Sequence, residues 1–562
     1  MVLKRIALTI LPILLLPVTG FSQQTLNWDD EYYYRMLQVS GAVDDQTSFQ
    51  IRPVTPKWDQ SLSHPWDHLF RQPESVATLP FDGGVYIYGQ QLFQSVNTTL
   101  PRGWQDGAIW QGKGYNAAIS AGFQANMGLL HLRFRPQIGM AQNREFDLGP
   151  YQPPRIPAVG IANEYSYRRF TGRIDYVQRY GSESYQWADL GDSSIELRHA
   201  GLRAAFSNRQ IWSGPSIFTS LQYGYNAPGF KHLNLGTYRP LDIYIGALEF
   251  AYIFGGMRKS DYFDEREDNR LQSVNTLMIS FSPGFAQNLS VGAIRTFFND
   301  YPKSFSEYRA QASKLFEAGL KSGLASEENP SGSDASNQVG SVFIRYFIPD
   351  YGFEIYAEYG RNDHNADWRD FRAQPNHFRA YSLGMIKTVN LEKNRLLSIG
   401  LEITELAAMR SSLTRGSTIP GEGALYGWYT HDKQSQGFTN KGQILGTGME
   451  PSSTSQTIWA DFYDPLGRLR LRLSRISQNN SAMDQFFNVV QQVNEEEVER
   501  WEVRNIEILF GLELTTFLRY GLEISAAIDQ SFLHNHHYLR GNDISNTRFE
   551  VTVRKQLRGW LR

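Results

Sequence analysis

The chain has 562 residues, a formal net charge of −2 at pH 7 and no cysteine. This charge gives no basic excess for nucleic acid, and the lack of cysteine excludes a disulfide framework and a thiol nucleophile. The mean hydropathy of −0.42 does not exclude a membrane protein, because a membrane-spanning β-strand is apolar only at every second residue.

The first residues predict an export signal. Lys4 and Arg5 come before an apolar run over residues 6–18, and small and polar residues follow. The run is shorter than the roughly 20 residues of a spanning helix, so we predict a cleaved signal peptide over residues 1–22. Residues 23–80 lack a regular strand pattern, and we expect them to form a short periplasmic or plug segment.

Residues 81–562 repeatedly alternate apolar and polar side chains. Arginine and leucine alternate over residues 468–473, and similar two-faced segments occur at 130–135 and 548–554. Successive side chains of a strand point to opposite faces, so each segment has one face for lipid and one for a polar lumen. One such strand also fits a soluble sandwich, but the recurrence favours a transmembrane antiparallel β-barrel, because only closed barrels let strands cross a bilayer.

The all-β pattern predicts about eighteen strands, an even number typical of bacterial outer-membrane barrels. The expected strand cores are 85–98, 114–125, 129–142, 165–178, 193–206, 216–226, 242–254, 271–283, 287–299, 338–348, 352–361, 380–390, 395–406, 456–463, 467–477, 500–516, 519–531 and 545–556.

The connections between these strands predict the orientation of the barrel. Short turns follow most even-numbered strands, whereas the long connections 300–337, 407–455 and 478–499 follow odd-numbered ones. Outer-membrane barrels have short periplasmic turns and long extracellular loops, so we expect these three loops at the cell surface. Segments 181–192 and 227–241 are too long for periplasmic turns, and the strand register is least certain around them.

Two irregular stretches carry distinctive motifs. The first contains Trp212-Ser213-Gly214-Pro215 and Asn226-Ala227-Pro228-Gly229-Phe230-Lys231-His232, and the second contains Trp428-Tyr429 and Gly437-Phe438-Thr439-Asn440-Lys441-Gly442-Gln443. Both resemble the capsule assembly Wzi family of outer-membrane proteins. The family pattern has a Trp-x-Gly-Pro turn, an Asn-Ala-Pro-Gly-Phe-x-His run and a Gly-Tyr-Thr-Asn-x-Gly-Gln segment, in which Phe438 replaces the tyrosine. Related chains of gliding bacteria resemble the gliding-motility protein RemB, and that subgroup stays open.

The resemblance extends over the barrel region and has functional implications. It implies a monomeric outer-membrane barrel of eighteen strands that acts without catalysis and without a cofactor. As a lectin, such a barrel holds capsular polysaccharide at the cell surface. Its expected partners are this polysaccharide, outer-membrane lipid, and capsule-export or motility proteins.

A sugar-binding site needs aromatic faces for the C–H side of a sugar ring and planar polar groups for its hydroxyls. The candidate polysaccharide-binding residues are Trp212, Asn226, His232, Arg239, Trp428, Tyr429, Asn440 and Gln443. The alternative is that these motifs only shape loops that fold back into the lumen. Arg133, Arg135, Arg470 and Arg472 are expected to line the lumen, where they either attract an acidic polysaccharide or pair with carboxylates of the wall.

Other functions have less support in the sequence. The histidines of 534–537 and the oxygen-rich segment 362–367 are metal-ligand types, but solvated loops are the simpler interpretation, so we predict no metal site. No Gly-x-Ser-x-Gly nucleophile signature accompanies His232 or His431, so we predict no enzyme. A channel for small solutes, and a motility or adhesion component acting through protein partners, are the alternatives.

Overall fold

The computed structural model describes most of the chain between residues 28 and 555. The described ranges are 28–54, 64–66, 75–81, 83–151, 155–156, 160–161, 163–167, 174–263, 271–316, 337–362, 372, 378–407, 427–431 and 434–555. The predicted signal peptide, residues 1–22, lies outside them.

Within these ranges, eighteen antiparallel strands close into a barrel, which confirms the predicted fold class. The strands are β1 (Gly83–Asn97), β2 (Gly114–Met127), β3 (Leu130–Phe134 and Gln137–Ala141), β4 (Tyr185–Asp189 and Ser194–His199), β5 (Leu202–Ser207), β6 (Lys231–Thr237), β7 (Gly246–Arg258), β8 (Leu271–Pro283), β9 (Leu289–Asp300), β10 (Asn337–Ile348), β11 (Phe353–Asn362), β12 (Arg379–Leu391), β13 (Arg395–Glu405), β14 (Thr454–Asp464), β15 (Gly467–Ser477), β16 (Ile506–Leu518), β17 (Leu522–His534) and β18 (Ile544–Lys555).

The barrel closes where β18 pairs with β1. The pairing runs from Arg548 opposite Asn97 to Arg554 opposite Gln91. Each remaining strand pairs with its neighbours in sequence, and short turns follow the even-numbered strands while long connections follow the odd-numbered ones. Closure pairs the backbone of every strand, which is what a bilayer requires.

Three predicted strands near the start of the barrel are wrong. The described ends of 165–178 share only the bridge between Ser166 and Val177, since 168–173 lie outside the described residues. Segment 193–206 is the β4–β5 hairpin, which turns at Gly201 with a φ of +88° that suits glycine. Segment 216–226 lies in the lumen, and the three strands that the structure has in place of the wrong ones are β4, β5 and β6.

The alternation rule wrongly predicts a strand at segment 216–226, because both faces of this segment are buried in the lumen. Leu221 and Gln222 are neighbours in sequence, and each has an exposed fraction of 0%. The segment pairs with no described strand of the barrel wall, and its first N–H groups bond to a side chain: the Glu402 carboxylate accepts those of Ile217, Phe218 and Thr219 at 2.6, 3.0 and 2.9 Å. Once β4, β5 and β6 replace the three wrong strands, short and long connections alternate regularly between residues 142 and 245.

The strand faces separate as the sequence predicts. On β15, Leu469, Leu471 and Leu473 are 39%, 52% and 43% exposed on the outer face, whereas Arg468 and Arg470 are 2% and 4% exposed on the lumen face. An outward apolar band and a polar interior are the two surfaces of an outer-membrane barrel.

The lumen contains the described part of the predicted N-terminal segment. Helix α1 (Trp28–Val39) is buried almost all round, as expected of a helix enclosed by protein. The Tyr32 hydroxyl lies 3.1 Å from Ser398 Oγ on β13. Trp66 Nε1 donates to the carbonyl of Asp464 at 3.2 Å, at the short-turn end of the barrel. The N-terminal segment therefore occupies the lumen from the end of the barrel that carries the short turns.

Cross-strand packing makes room for large lumen rings. The side chain of Trp459 on β14 crosses Gly400 on β13, where an added Cβ would lie 2.1 Å from the indole. The indole Nε1 then donates to the Tyr32 hydroxyl of α1 at 2.7 Å. Gly400 thus allows the wall to present a tryptophan to the plug.

The other helices are in the long connections: α2 (Phe305–Ser313), α3 (Asn480–Gln485) and α4 (Phe487–Asn494). Helix α2 has Ser304 as its N-cap, with Ser304 Oγ accepting the N–H of Glu307 at 3.2 Å. Its Tyr308 ring packs edge-on against Phe254 of β7 at 4.6 Å. In the described part of the chain, no helix combines the length and apolar character needed to cross a membrane.

Candidate functional site

The two motif stretches meet inside the lumen. Trp428 Nε1 and the Tyr429 hydroxyl both donate to the carbonyl of Leu221, at 3.0 and 2.8 Å. Trp428 and Tyr429 are 2% and 0% exposed. These two aromatic residues therefore bind one long connection to the other.

The motif asparagines bond to the same irregular loops. Asn440 Nδ2 donates to the carbonyl of Pro228 at 3.0 Å, and its Oδ1 accepts the N–H of Arg258 at 2.9 Å. Asn226 Nδ2 donates to the carbonyl of Gly446. Gln443 is half-buried and pairs with Asn440 in a two-residue hairpin. Amide side chains thus supply the backbone partners that loops without a ladder lack.

Trp212 joins the first motif to the N-terminal segment. Ser213 and Trp212 pair as a short strand with Ile51 and Arg52. Trp212 is 0% exposed, and the Arg52 guanidinium carbon lies 4.9 Å from the centre of its ring. Trp212 therefore faces protein in the lumen.

The other two candidate residues lie apart from these loops. His232, on β6, is 2% exposed, and its Nδ1 is 2.8 Å from the carbonyl of Phe230. Arg239 is exposed in the β6–β7 turn, with its guanidinium carbon 5.6 Å from the Tyr238 ring centre. The structure thus brings Trp212, Asn226, Trp428, Tyr429, Asn440 and Gln443 together with the folded-in connections, and places Arg239 at the periplasmic end.

The four candidate lumen arginines have polar partners on the wall. Arg470 Nε donates to Asp461 at 2.6 Å and Arg472 Nη2 donates to Asp529 at 3.0 Å. Arg133 lies 3.6 Å from Asp192, and Arg135 Nη2 donates to Gln91 at 3.0 Å. In the folded barrel these cations are largely compensated by their neighbours.

A cavity of about 340 Å³ lies between the plug and the wall formed by β15–β18 and β1–β4; we call it the lumen cavity. Its lining includes six arginines and seven carboxylates: Arg135, Arg209, Arg470, Arg472, Arg548, Arg554, Asp29, Asp106, Asp189, Asp192, Glu513, Asp529 and Glu550. Charges of both signs make it a hydrated space.

Asp106 lies on the connection between β1 and β2, at the edge of the lumen cavity. Burial raises the pKa of its carboxyl to about 6, against the opposing effects of Arg548 and of hydrogen bonds from Trp104 and Gln111. Asp106 thus lines the lumen cavity from a long connection, and its carboxyl loses its proton near pH 6.

A second cavity, of about 170 Å³, lies among the long connections; we call it the outer cavity. Its lining comes from residues 100–104, 110, 146–147, 176–178, 226, 448–450, 476, 478, 505, 507, 531, 533, 536–537 and 546, so the ends of β15–β18 contribute as well. Trp104 lines both cavities. The outer cavity therefore lies at the end of the barrel where the long connections meet, which is the end that faces outward in outer-membrane barrels in general.

The aromatic residues of the outer cavity are not among the candidates identified from the sequence. Trp104, Trp110 and Tyr176 line this cavity. The sequence did contain a signal for them. Trp104 and Trp110 lie in the connection after the first predicted strand, and the long connections follow odd-numbered strands. Asn226 is the sequence candidate that also reaches this cavity.

The described residues contain no group of three or more side chains suited to hold a metal ion. The His536 and His537 rings lie 3.8 Å apart and are buried, whereas His534 is exposed beside Asp543 at 3.3 Å. Most of the candidate calcium segment, residues 363–367, lies outside the described residues.

No family model matches this sequence, and no curated protein matches it. Among solved structures it is similar to Wzi of Escherichia coli, described as an outer-membrane protein involved in group 1 capsule assembly and as a carbohydrate-binding β-barrel. The TM-score is 0.52 at 10% identity, over 83% of this chain and 84% of that chain.

Two porin-type structures also match. OprD of Pseudomonas aeruginosa has a TM-score of 0.39 at 8% identity, over 86% of this chain and 95% of that chain. A BenF-like porin of Pseudomonas fluorescens has a TM-score of 0.39 at 8% identity, over 84% and 98%. At 10% identity, the likeness to Wzi establishes the fold alone, which is that of an outer-membrane β-barrel.

Proposed function

We propose that this protein is a non-enzymatic barrel of the outer membrane that binds polysaccharide at the cell surface and anchors or assembles it there as a capsule. The observation that carries the proposal is the asymmetry of the lumen. The N-terminal segment fills it from the periplasmic side, while the long connections enclose an aromatic and amide-rich cavity on the outer side. Such a molecule presents a binding surface outward.

The likeness to Wzi supports the same proposal, because that protein is described as carbohydrate-binding and involved in capsule assembly. The partners we propose are surface polysaccharide, the surrounding lipid and components of capsule export. We propose that the barrel acts as a monomer, since strand closure leaves no free sheet edge in the described wall.

In this proposal the motif residues Trp212, Trp428, Tyr429 and Asn440 act indirectly. They hold the folded-in connections against one another, and Asn226 does so while also reaching the outer cavity. Gln443, His232 and Arg239 remain predictions as sugar ligands.

A second candidate function is a narrow passage for small ions, which the charge-lined lumen cavity favours. It requires a hydrated path past the plug, whereas the first function does not. We name no structural feature that specifically supports a role in motility, and this alternative remains a prediction.

One pair of measurements separates these functions. The detergent-purified barrel is titrated calorimetrically with polysaccharide extracted from the surface of its own source cell, and the same preparation is placed in a planar lipid bilayer. Surface binding predicts saturable heat and little conductance. Steady conductance without saturable binding, at several temperatures, would transfer the assignment to the ion passage.

A further inference from the structure

We propose that the outer cavity is a preformed glycan site in which Trp104, Trp110, Gln178, Gln478 and Asn505 bind an uncharged, hydroxyl-rich segment of the polysaccharide. This inference rests on the proposed function and assigns it a location. It moves the site away from the motif residues that the sequence singles out.

The first argument is a set of hydrogen-bonding groups that the protein leaves unused. Trp104 Nε1 and Trp110 Nε1 are buried donors without a partner among the described residues. Gln178 Oε1 and Gln478 Oε1 are buried acceptors that also lack a hydrogen-bond partner among the described residues. All four residues line the outer cavity. Native structures rarely leave so many buried polar atoms unsatisfied in one place, so the concentration points to a polar ligand.

Asn505 is the clearest example of an unused hydrogen-bonding side chain in the outer cavity. It is 1% exposed, it lines the outer cavity, and both its Nδ2 and its Oδ1 lack a partner among the described residues. A buried amide with a free donor and a free acceptor matches the paired hydroxyls of a sugar ring.

The second argument is that the charged side chains at the cavity already have hydrogen-bond partners within the protein, including Asp147, which accepts the N–H of Gly149 at 2.8 Å. Arg102 Nη1 donates to Glu507 at 3.1 Å, and Glu507 also accepts Gln478 Nε2 at 3.1 Å and Ser531 Oγ at 2.7 Å. Glu450 accepts the Tyr167 hydroxyl at 3.0 Å. The remaining free groups are neutral donors and acceptors, so the matching ligand chemistry is hydroxyl groups.

The third argument is the fixed aromatic surface. The Trp110 ring is held edge-on against Tyr180 at 4.8 Å, and the Trp104 ring lies 5.1 Å from the Arg472 guanidinium carbon. Tyr176 packs against Tyr167 at 5.4 Å. Rings that are held in place before the ligand arrives lose little entropy on binding, and their faces suit the C–H side of a sugar.

The size of the cavity is consistent with this ligand. One buried water needs roughly 10–15 Å³ of such volume, so the 170 Å³ of the outer cavity accepts a group much larger than water. The lumen cavity is larger, but it is lined by ionised side chains and lies on the other side of Trp104. An uncharged glycan segment therefore fits the outer cavity.

Two variants of the full-length barrel test the site. Asn505→Leu removes an amide that the protein does not use, and Trp110→Phe keeps an aromatic face while removing the N–H. Each is titrated with the polysaccharide extracted from the source cell and with oligosaccharides released from it by acid. The control is Trp501→Phe, because Trp501 is 72% exposed and does not line the outer cavity.

For each cavity variant we expect binding at least about tenfold weaker. The unfolding midpoint of Asn505→Leu should equal or exceed that of the wild type, whereas Trp110→Phe should lower it slightly, because a smaller ring packs against Tyr180. Trp501→Phe should bind as the wild type does. If both cavity variants bind like the wild type, the site is overturned while the proposed function stands. If the wild type binds none of these glycans, the proposed function itself fails.

Salt dependence provides an independent check. Binding by neutral groups should change less than about twofold between roughly 50 and 200 mM salt, because screening weakens mainly contacts between charges. A steep loss of affinity over this range would overturn the uncharged site and assign recognition to the arginines of the lumen cavity.

Discussion

The two halves of the lumen are built on different principles. Along β7–β14 the plug and the folded-in connections fill the space with large buried side chains, including Trp428, Trp459 and Tyr356. Along β15–β18 and β1–β4 the wall carries paired charges, and a cavity of about 340 Å³ separates it from the plug. The packed half fixes the plug, and the charged half leaves hydrated space beside it.

The ion pairs of the two halves differ in the same way. In the packed half, Glu354 is 0% exposed and accepts Arg35 Nε of the plug at 3.0 Å and Arg345 Nη2 of β10 at 2.6 Å. In the charged half, Asp529 accepts Arg472 Nη2 at 3.0 Å and Arg548 Nη2 at 2.7 Å beside the lumen cavity. Water can replace a lost partner in the second case but not in the first. The difference teaches that arginine–carboxylate pairs attach the plug to the wall in one half and line a cavity in the other.

The largest effect should come from Glu354→Ala, which leaves two buried guanidinium groups without their shared carboxylate. We expect a loss of about 3–5 kcal/mol in the free energy of unfolding. The unfolding midpoint in detergent measures it. Asp464→Asn is the control, because it breaks the Arg395–Asp464 pair, whose side chains are 41% and 24% exposed, and should cost no more than about 1 kcal/mol. Equal losses in the two variants would show that the buried carboxylate of Glu354 stabilises the plug no more than an exposed ion pair does.

A matched pair of tryptophans sharpens the comparison. Trp459→Ala empties a packed position at which the indole is 1% exposed and should cost about 3–5 kcal/mol. Trp104 already borders both cavities, so Trp104→Ala should cost only about 1–2 kcal/mol. Chemical denaturation of both variants in one detergent gives the two values. A larger cost for Trp104→Ala would mean that the charged half is as tightly packed as the other.

The smallest effect concerns Asp106 and pH. Its pKa is raised from the ordinary 3.8 to about 6, so between these values the folded protein keeps a proton that the unfolded chain has lost. The free energy of unfolding should therefore fall as pH rises through this interval, by at most about 1.4 kcal/mol per pH unit, and level off above it.

The variant Asp106→Asn should lack this contribution. The unfolding midpoints of the wild type and the variant are compared at intervals from about pH 4 to pH 7. Their difference should change across the interval, and a constant difference would show that the buried carboxyl does not titrate there.

Much of the wall was predictable because β-strand alternation is local. From β7 onward the expected strands coincide with the observed ones to within a few residues, and the β15 leucines and arginines face lipid and lumen as expected. The errors fall between residues 165 and 237, where a segment buried on both faces resembles a strand, a hairpin turn at Gly201 passes unnoticed, and β6 is missed.

The candidate site was less predictable, because a motif indicates an unusual local conformation and not its purpose. Trp212, Trp428 and Tyr429 are aromatic residues of the kind that bind sugars, yet their rings are enclosed by the plug and the folded-in connections. Asn505 carries no motif at all. Its unused amide becomes visible only when every partner around it is known.

The sequence by itself determined the all-β class, the two-faced strands and their number, because each depends on side-chain period and loop length, and the direction of the barrel in the membrane stays a prediction. Only the tertiary structure decided which connections enter the lumen, which half of it is packed, and where buried polar groups remain unpaired. Those properties arise from contacts between residues hundreds of positions apart, such as Trp428 with Leu221, and no local pattern encodes them.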